Sequence, residues 1–154
     1  VEFLEANGFL QYEISNFAKP GRESRHNLKY WTLGEYAGFG PGAHSDFRGV
    51  RCAWPRDLTE WLTGRPALSE RQEIPPEARA AEWLMLGLRT VYGLDPADYE
   101  KRFQKPFAPY LPFLRRCAQA GYALETAGRW RLTPQGFLVS NPIIGELLEI
   151  LETQ

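Results

Sequence analysis

The sequence predicts two architectures in tandem: an α/β segment, then a small α+β segment whose helices, hairpin and closing helix follow a winged-helix-like order. Three observations carry this expectation. A helix–glycine–strand succession opens the chain, which is what one broken βα repeat leaves behind. Pro66, Pro75 and Pro76 crowd the middle. Beyond them apolar residues recur at helical spacing until a glycine-centred hairpin pattern interrupts.

Residues 1–7 read as the last turns of a helix with Phe3, Leu4 and Ala6 inward, closed by Gly8 as a left-handed cap. Residues 9–14 alternate in part and are rich in aromatic side chains, which predicts a strand. Residues 15–33 follow as loop. Residues 34–45 carry Gly34, Gly38, Gly40 and Gly42, so the backbone there can approach a ligand or a neighbouring strand closely. One short strand is expected over 45–52, then a helix over 55–62 with Leu58, Trp61 and Leu62 at helical spacing. Gly64-Arg65-Pro66 ends that helix, and residues 64–76 read as a linker between domains at 1–63 and 77–154.

In the second half, Ala80, Leu84, Leu88 and Val91 mark the core face of a helix over 77–91. Asp95-Pro96-Ala97-Asp98 signals a helix start, with a capping carboxylate and a proline in the first turn. A helix over 107–120 turns Tyr110, Leu111, Leu114, Cys117 and Ala118 inward and stops at Gly121. Residues 122–125 and 129–132 flank Thr126-Ala127-Gly128, which reads as a three-residue hairpin loop. Thr133-Pro134 opens another helix, and Pro142 is expected to restart it with Asn141 as the new cap.

Composition narrows the function. With 154 residues, 44% hydrophobic content and five Trp, a packed core is within reach. The net charge of −1 is evenly spread: residues 1–74 hold nine Lys/Arg against ten Asp/Glu, and residues 75–154 hold nine against nine. That balance argues against a nucleic-acid partner, because phosphate binding needs an excess of positive charge. No apolar run reaches eighteen residues, so no integral membrane segment is expected. The start, Val1-Glu2-Phe3-Leu4-Glu5, lacks both an initiator Met and the order of a signal peptide, and reads as a piece of a longer chain. Cys52 and Cys117 lie far apart and read as reduced thiols of a cytoplasmic protein.

The richest stretch for chemistry is His26-Asn27-Leu28-Lys29-Tyr30-Trp31. A neutral imidazole can ligate iron or bond a propionate, while Tyr and Trp offer flat faces to a macrocycle. The plain alternative makes His26 a loop residue that satisfies backbone groups, and Trp31 core. The segment Gly38-Phe39-Gly40-Pro41-Gly42-Ala43-His44-Ser45 has glycines but no Lys-Ser/Thr after them, so it is no phosphate loop. Glu13 and Ser15 alternate on one strand face, yet one carboxylate is no acid–base pair. Arg22 and Arg25 suit carboxylates by geometry but read as solvated loop charges. Nothing supports a nucleophile triad. In the second half, Arg115-Arg116 on a helix and the hairpin's Arg129 and Arg131 could meet phosphates, but the domain's neutrality opposes it.

The wording from Tyr12-Glu13-Ile14-Ser15-Asn16-Phe17-Ala18-Lys19-Pro20-Gly21 through the His26–Trp31 run to Gly38–Ser45 resembles the HemW branch of the oxygen-independent coproporphyrinogen III oxidase family, which are radical S-adenosylmethionine proteins. The stretch at 121–141 resembles the same family's C-terminal domain, and Ala80-Ala81-Glu82-Trp83-Leu84-Met85-Leu86-Gly87-Leu88-Arg89 fits more loosely. Arg51-Cys52-Ala53-Trp54 departs from it, since an asparagine is expected shortly after the arginine. The resemblance implies the end of a partial (β/α) radical S-adenosylmethionine barrel followed by the winged-helix-like domain, which covers the barrel mouth. It implies haem held by His26, Asn27, Tyr30 and Trp31, with His26 as candidate iron ligand. It places Gly42, Ala43, His44 and Ser45 near S-adenosylmethionine. The [4Fe-4S] cluster of the family sits on a C-x3-C-x2-C run that this chain lacks, so the cluster belongs to a preceding barrel half and this part is expected to be catalytically silent. The implied partners are haem or porphyrin, that barrel half, and a haem-acceptor protein. Two other functions compete: decarboxylation of coproporphyrinogen propionates, and a winged-helix module that binds protein or nucleic acid.

Overall fold

The computed structural model describes residues 1–64 and 66–153, and Arg65, within the expected linker, lies outside them. The chain is mixed α/β and divides into two compact units, one of Val1–Leu33 with Ala80–Gln154, the other of Gly34–Arg79. No closed barrel forms among the described residues, whose strands make three small antiparallel sheets.

In the first unit, helix α1 (Glu2–Ala6) leads to β1 (Leu10–Gln11), which pairs antiparallel with β2 (Phe17–Ala18). The expected strand over 9–14 is thus cut to two residues. From Tyr12 the backbone turns to bond the chain near residue 90: Ile14 N–H donates to the Arg89 carbonyl (2.8 Å) and Val91 N–H to that of Tyr12 (3.2 Å). Phe3 is 78% exposed rather than inward, because α1 lays no described element over that side. The expected loop at 15–33 contains helix α2 (Arg25–Trp31). Local signals explain it: Ser24 caps, its hydroxyl accepting from Asn27 N–H at 3.2 Å, and the six residues after Arg25 contain no helix breaker.

The core lies in the C-terminal part of this unit. Ala80 and Leu84 sit on helix α4 (Pro76–Gly87), within which the division between the units falls, and Leu88 follows it. Asp95 caps α5 (Pro96–Phe103) by accepting from Ala97 and Asp98 N–H, as the sequence signals. The helix expected at 107–120 begins as a 3-10 turn at Ala108–Tyr110 and continues as α6 (Leu111–Gln119). Tyr99, Phe107 and Tyr110 are essentially inaccessible and stack at centroid distances of 5.2–5.5 Å. Burying each such side chain is worth about 2–3 kcal/mol. Their polar ends are satisfied too, because the Tyr99 and Tyr110 hydroxyls bond each other at 2.8 Å.

The hairpin pairs strands at Ala123–Thr126 and Arg129–Leu132, with Thr126 opposite Arg129. Its loop is two residues, not three. Ala127 (φ 51) and Gly128 (φ 75) both take positive φ, the tight turn whose twist suits a hairpin. Thr133 caps the short helix Pro134–Leu138. The last helix, Ser140–Glu152, starts before Pro142, which is tolerated because first-turn N–H groups need no helical partner. Asn141 therefore caps nothing, and its side-chain Oδ1 instead accepts from Arg89 Nη2 at 3.3 Å.

The second unit is a three-stranded antiparallel sheet, β3 (His44–Phe47), β4 (Val50–Ala53) and β5 (Glu70–Glu73), with a short helix, α3 (Leu58–Leu62), capped by Asp57. The single strand expected at 45–52 is two strands joined by a turn at Arg48-Gly49, both residues with positive φ. Leu58 and Leu62 are 59% and 73% exposed. Asp46 on β3 is buried and meets two guanidiniums, Arg51 Nη2 at 2.8 Å and Arg79 Nη1 at 2.7 Å, the latter through a fork that also reaches its other oxygen.

Candidate functional site

The helical form of residues 25–31 decides how the polar cluster is displayed. Side chains four apart share a face of a helix, so His26 stands over Tyr30 and Asn27 over Trp31. His26 and Tyr30 are exposed, their rings edge to face at 5.0 Å, with the Tyr30 hydroxyl 3.2 Å from Nε2 of His26. Asn27 and Trp31 are half-buried. The Asn27 amide reaches the Tyr12 hydroxyl at 3.5 Å.

An open cleft of about 320 Å³ lies along this helix, lined by Glu13, Ser15, Asn16, Asn27, Tyr30 and Trp31. Its far wall is the turn after Tyr12. Glu13 is fully buried, and its carboxylate accepts from Ser15 N–H at 2.9 Å and from the Asn16 side-chain amide. Glu13 and Ser15 therefore do border the same space, but through a turn that the carboxylate itself organises rather than through strand alternation. Asn16 was not singled out in the sequence. The signal for it is the polar step Ser15-Asn16 right after an apolar run, where a side-chain-bonded turn is favoured.

Of the predicted residues, His26, Asn27, Tyr30 and Trp31 come together on one helix. Gly42, Ala43, His44 and Ser45 belong to the other unit. There, Ser45 is buried and its hydroxyl accepts from Gly38 N–H at 3.0 Å, while Gly42 N–H donates to the Pro55 carbonyl at 2.8 Å. A Cβ on Gly38 would stand 2.2 Å from the His44 carbonyl oxygen, so this close approach admits only glycine. His44 itself is exposed on β3, opposite Ala53. Arg25 opens α2 and, like Arg22, is exposed.

The donor set tests the groups the resemblance implies. An exposed imidazole beside a phenol, with an indole below and a cleft alongside, fits haem, whose iron takes histidine or tyrosine as axial ligand. An iron–sulfur cluster does not fit. Cys52 and Cys117 are free thiols in separate units, burial pushes the Cys117 thiol up, and no group of three metal-binding side chains forms among the described residues.

Comparison with known proteins defines the class first: residues 74–139 match the family described as the HemN C-terminal domain. Relatives extend the match over nearly the whole chain. It is 34% identical to the heme chaperone HemW of Bacillus subtilis over 151 residues, 94% of this chain and 40% of that one. It is 30% identical to HemW of Escherichia coli, over 93% of this chain and 39% of that one. HemW of Synechocystis is 35% identical, with 98% and 42% covered. In structure, the radical SAM enzyme coproporphyrinogen III oxidase (HemN) of Escherichia coli superposes with a TM-score of 0.69 over 99% of this chain and 39% of that one, at 17% identity, a likeness of fold alone. The chain thus carries a HemN C-terminal domain at 74–139, is similar over nearly its whole length to HemW proteins, and spans about two fifths of the length of the curated relatives it matches.

Proposed function

We propose that the protein acts as the C-terminal part of a haem chaperone of the HemW type, and that α2 is where haem is held. The observation that carries this is the capped helix itself: it turns the imidazole of His26 and the phenol of Tyr30 out together, beside a cleft that Asn27 and Trp31 complete. When bound, haem supplies an iron centre that accepts an imidazole ligand, and a flat face for aromatic contact. His26 would be the ligand, Tyr30 its orienting neighbour, and Trp31 the flank of the macrocycle. Asn27, tied to Tyr12, would set the rotation of α2.

Three further roles follow from the same relatives. The missing cluster thiolates would come from the preceding barrel half, which makes that half a partner. Gly42, Ala43, His44 and Ser45 would lie near S-adenosylmethionine, a role supported by the backbone approach at Gly38. The C-terminal helices and hairpin, in winged-helix-like order, would shape access to the haem and its hand-over to an acceptor protein. No helix among the described residues is long and apolar enough to cross a membrane, and two free thiols suit a reducing, cytoplasmic setting.

The test is a haemin titration followed by the Soret band, wild type beside His26→Ala. Saturable binding that the substitution weakens supports the proposal; equal binding by both reduces His26 to a surface residue.

A further inference from the structure

Trp31 has a second side. Besides the cleft along α2 it lines a more enclosed cavity of about 190 Å³, whose other walls come from α4, α5, the chain around residue 90 and the hairpin. Within that cavity the polar groups are unevenly matched. The indole N–H groups of Trp31 and Trp83 make no hydrogen bond among the described residues and are not among the buried atoms left without a partner there, so they stay open to solvent. Tyr92 adds a phenol whose pKa burial, helped by the negative charge of Glu23, pushes above the ordinary value. Arg102 gives its Nε to Asp98 at 2.9 Å, which leaves both terminal nitrogens of the guanidinium without a partner among the described residues.

Acceptors, in contrast, are used up. Asp98 is paired with Arg102, and the carbonyls of Tyr92 and Gly93 accept from Arg129, which also binds Asp95. Arg129 is therefore a clamp that builds the wall. Thr32 and Thr90 also line the cavity, but their hydroxyls bond the chain's own backbone, so what the lining offers beside its flat aromatic rings is indole and guanidinium donors, suited to a ligand group that accepts. A carboxylate borne by a planar body meets both conditions.

We propose that this cavity takes a propionate of the porphyrin whose iron is held at His26, with Arg102 as the residue that recognises the carboxylate. This rests on the haem-binding reading above. Trp31 then serves both clefts, with the macrocycle on one side and its acidic arm on the other. The distance suits it, since Trp31 lies about 7.5 Å along the helix axis from His26.

The experiment compares haemin with haemin dimethyl ester, whose propionates cannot carry charge, in one mild-detergent buffer. Wild type is expected to bind haemin roughly fivefold more tightly than the ester, the effect of one partly exposed charge pair. Arg102→Gln removes that preference and leaves the ester unchanged, while Arg102→Lys restores part of it. Asp98→Asn breaks the same ion pair but keeps the guanidinium, so it is expected to keep the preference. Circular dichroism of each variant shows whether the fold is retained. A preference for haemin that Arg102→Gln leaves intact overturns the proposal, as does its loss in Asp98→Asn. The haem reading fails separately, when His26→Ala binds both porphyrins as wild type does.

Discussion

The Tyr30 hydroxyl lies 3.2 Å from Nε2 of His26, one helical turn away, with the two rings at 87°. The contact holds the imidazole in one orientation on an exposed surface where it would otherwise sample several rotamers. It also engages the nitrogen best placed to reach outward. Iron and phenol therefore compete for, or divide, the two ring nitrogens. His26→Ala is expected to weaken haemin binding by about tenfold or more, the scale of one lost ligand interaction. Tyr30→Phe keeps the ring and loses only the hydroxyl, so saturable binding should persist with a shifted Soret maximum. A Tyr30→Phe variant whose spectrum and affinity match wild type would show that the pair has no part in binding.

The display of these residues depends on a seven-residue helix, too short to be stable without help. Ser24 supplies that help through its bond to Asn27 N–H. Ser24→Ala should cost about 1 kcal/mol of local helix stability. Amide exchange at residues 27–31 is expected to speed up severalfold while the core helices stay protected, and haemin affinity should fall with it. Unchanged exchange in α2 would mean that its packing, not the cap, holds it.

In the second unit, burial pushes the Asp46 carboxyl up, but the hydrogen bonds and charges of Arg79 and Arg51 outweigh it and hold the group below the usual carboxylate range. A pKa lowered by folding stabilises above the unfolded value and is lost as pH falls through the folded one. Stability from this site is therefore complete near neutrality and drains away below about pH 4. Asp46→Asn should destabilise the chain by on the order of 2 kcal/mol at pH 7, less than a fully buried pair because Arg51 is partly exposed. Melting curves of the two proteins should converge as the pH is lowered toward 3. A constant gap between them would assign the loss to packing rather than to charge.

What the sequence revealed, and what it hid, follows from the range of the forces involved. The Asp95 and Thr133 caps and the core face running through Ala80 and Leu84 of α4 to Leu88 just beyond it were legible because neighbours a few residues apart determine them. The polar and aromatic residues at 26–31 were legible as types and spacing, but not as a helix. A serine three residues before Asn27 is a local cap signal, and it turns part of the loop expected at 15–33 into helix. The strand expected at 9–14 failed for a non-local reason: from Tyr12 its backbone bonds to residues 89–91, which no local pattern foretells. The cavity at Arg102 was out of reach for the same reason, since Trp31, Trp83, Arg102 and Arg129 come from separate elements and meet only in the fold.

Glu13 offers the sharpest test of how the cleft is built. A carboxylate with no exposure is costly unless its oxygens are occupied, and here they accept from Ser15 N–H and the Asn16 amide. The bonds close the turn that carries Ser15 and Asn16 to the wall of the cleft, while the Glu13 backbone bridges Thr90. Glu13→Gln keeps one acceptor oxygen and the size, and should cost about 1–2 kcal/mol through loss of the charge-assisted bonds. Glu13→Leu leaves the Ser15 N–H and the Asn16 amide without a partner, so its cost should reach about 3 kcal/mol. Urea unfolding should rank the proteins wild type, Gln, Leu, and haemin affinity should follow the same order, because the wall of the cleft loosens as the turn does. If Leu were as stable as wild type, the turn would be held by its backbone bonds to residues 89–91 alone, and the carboxylate would have to be there for the ligand.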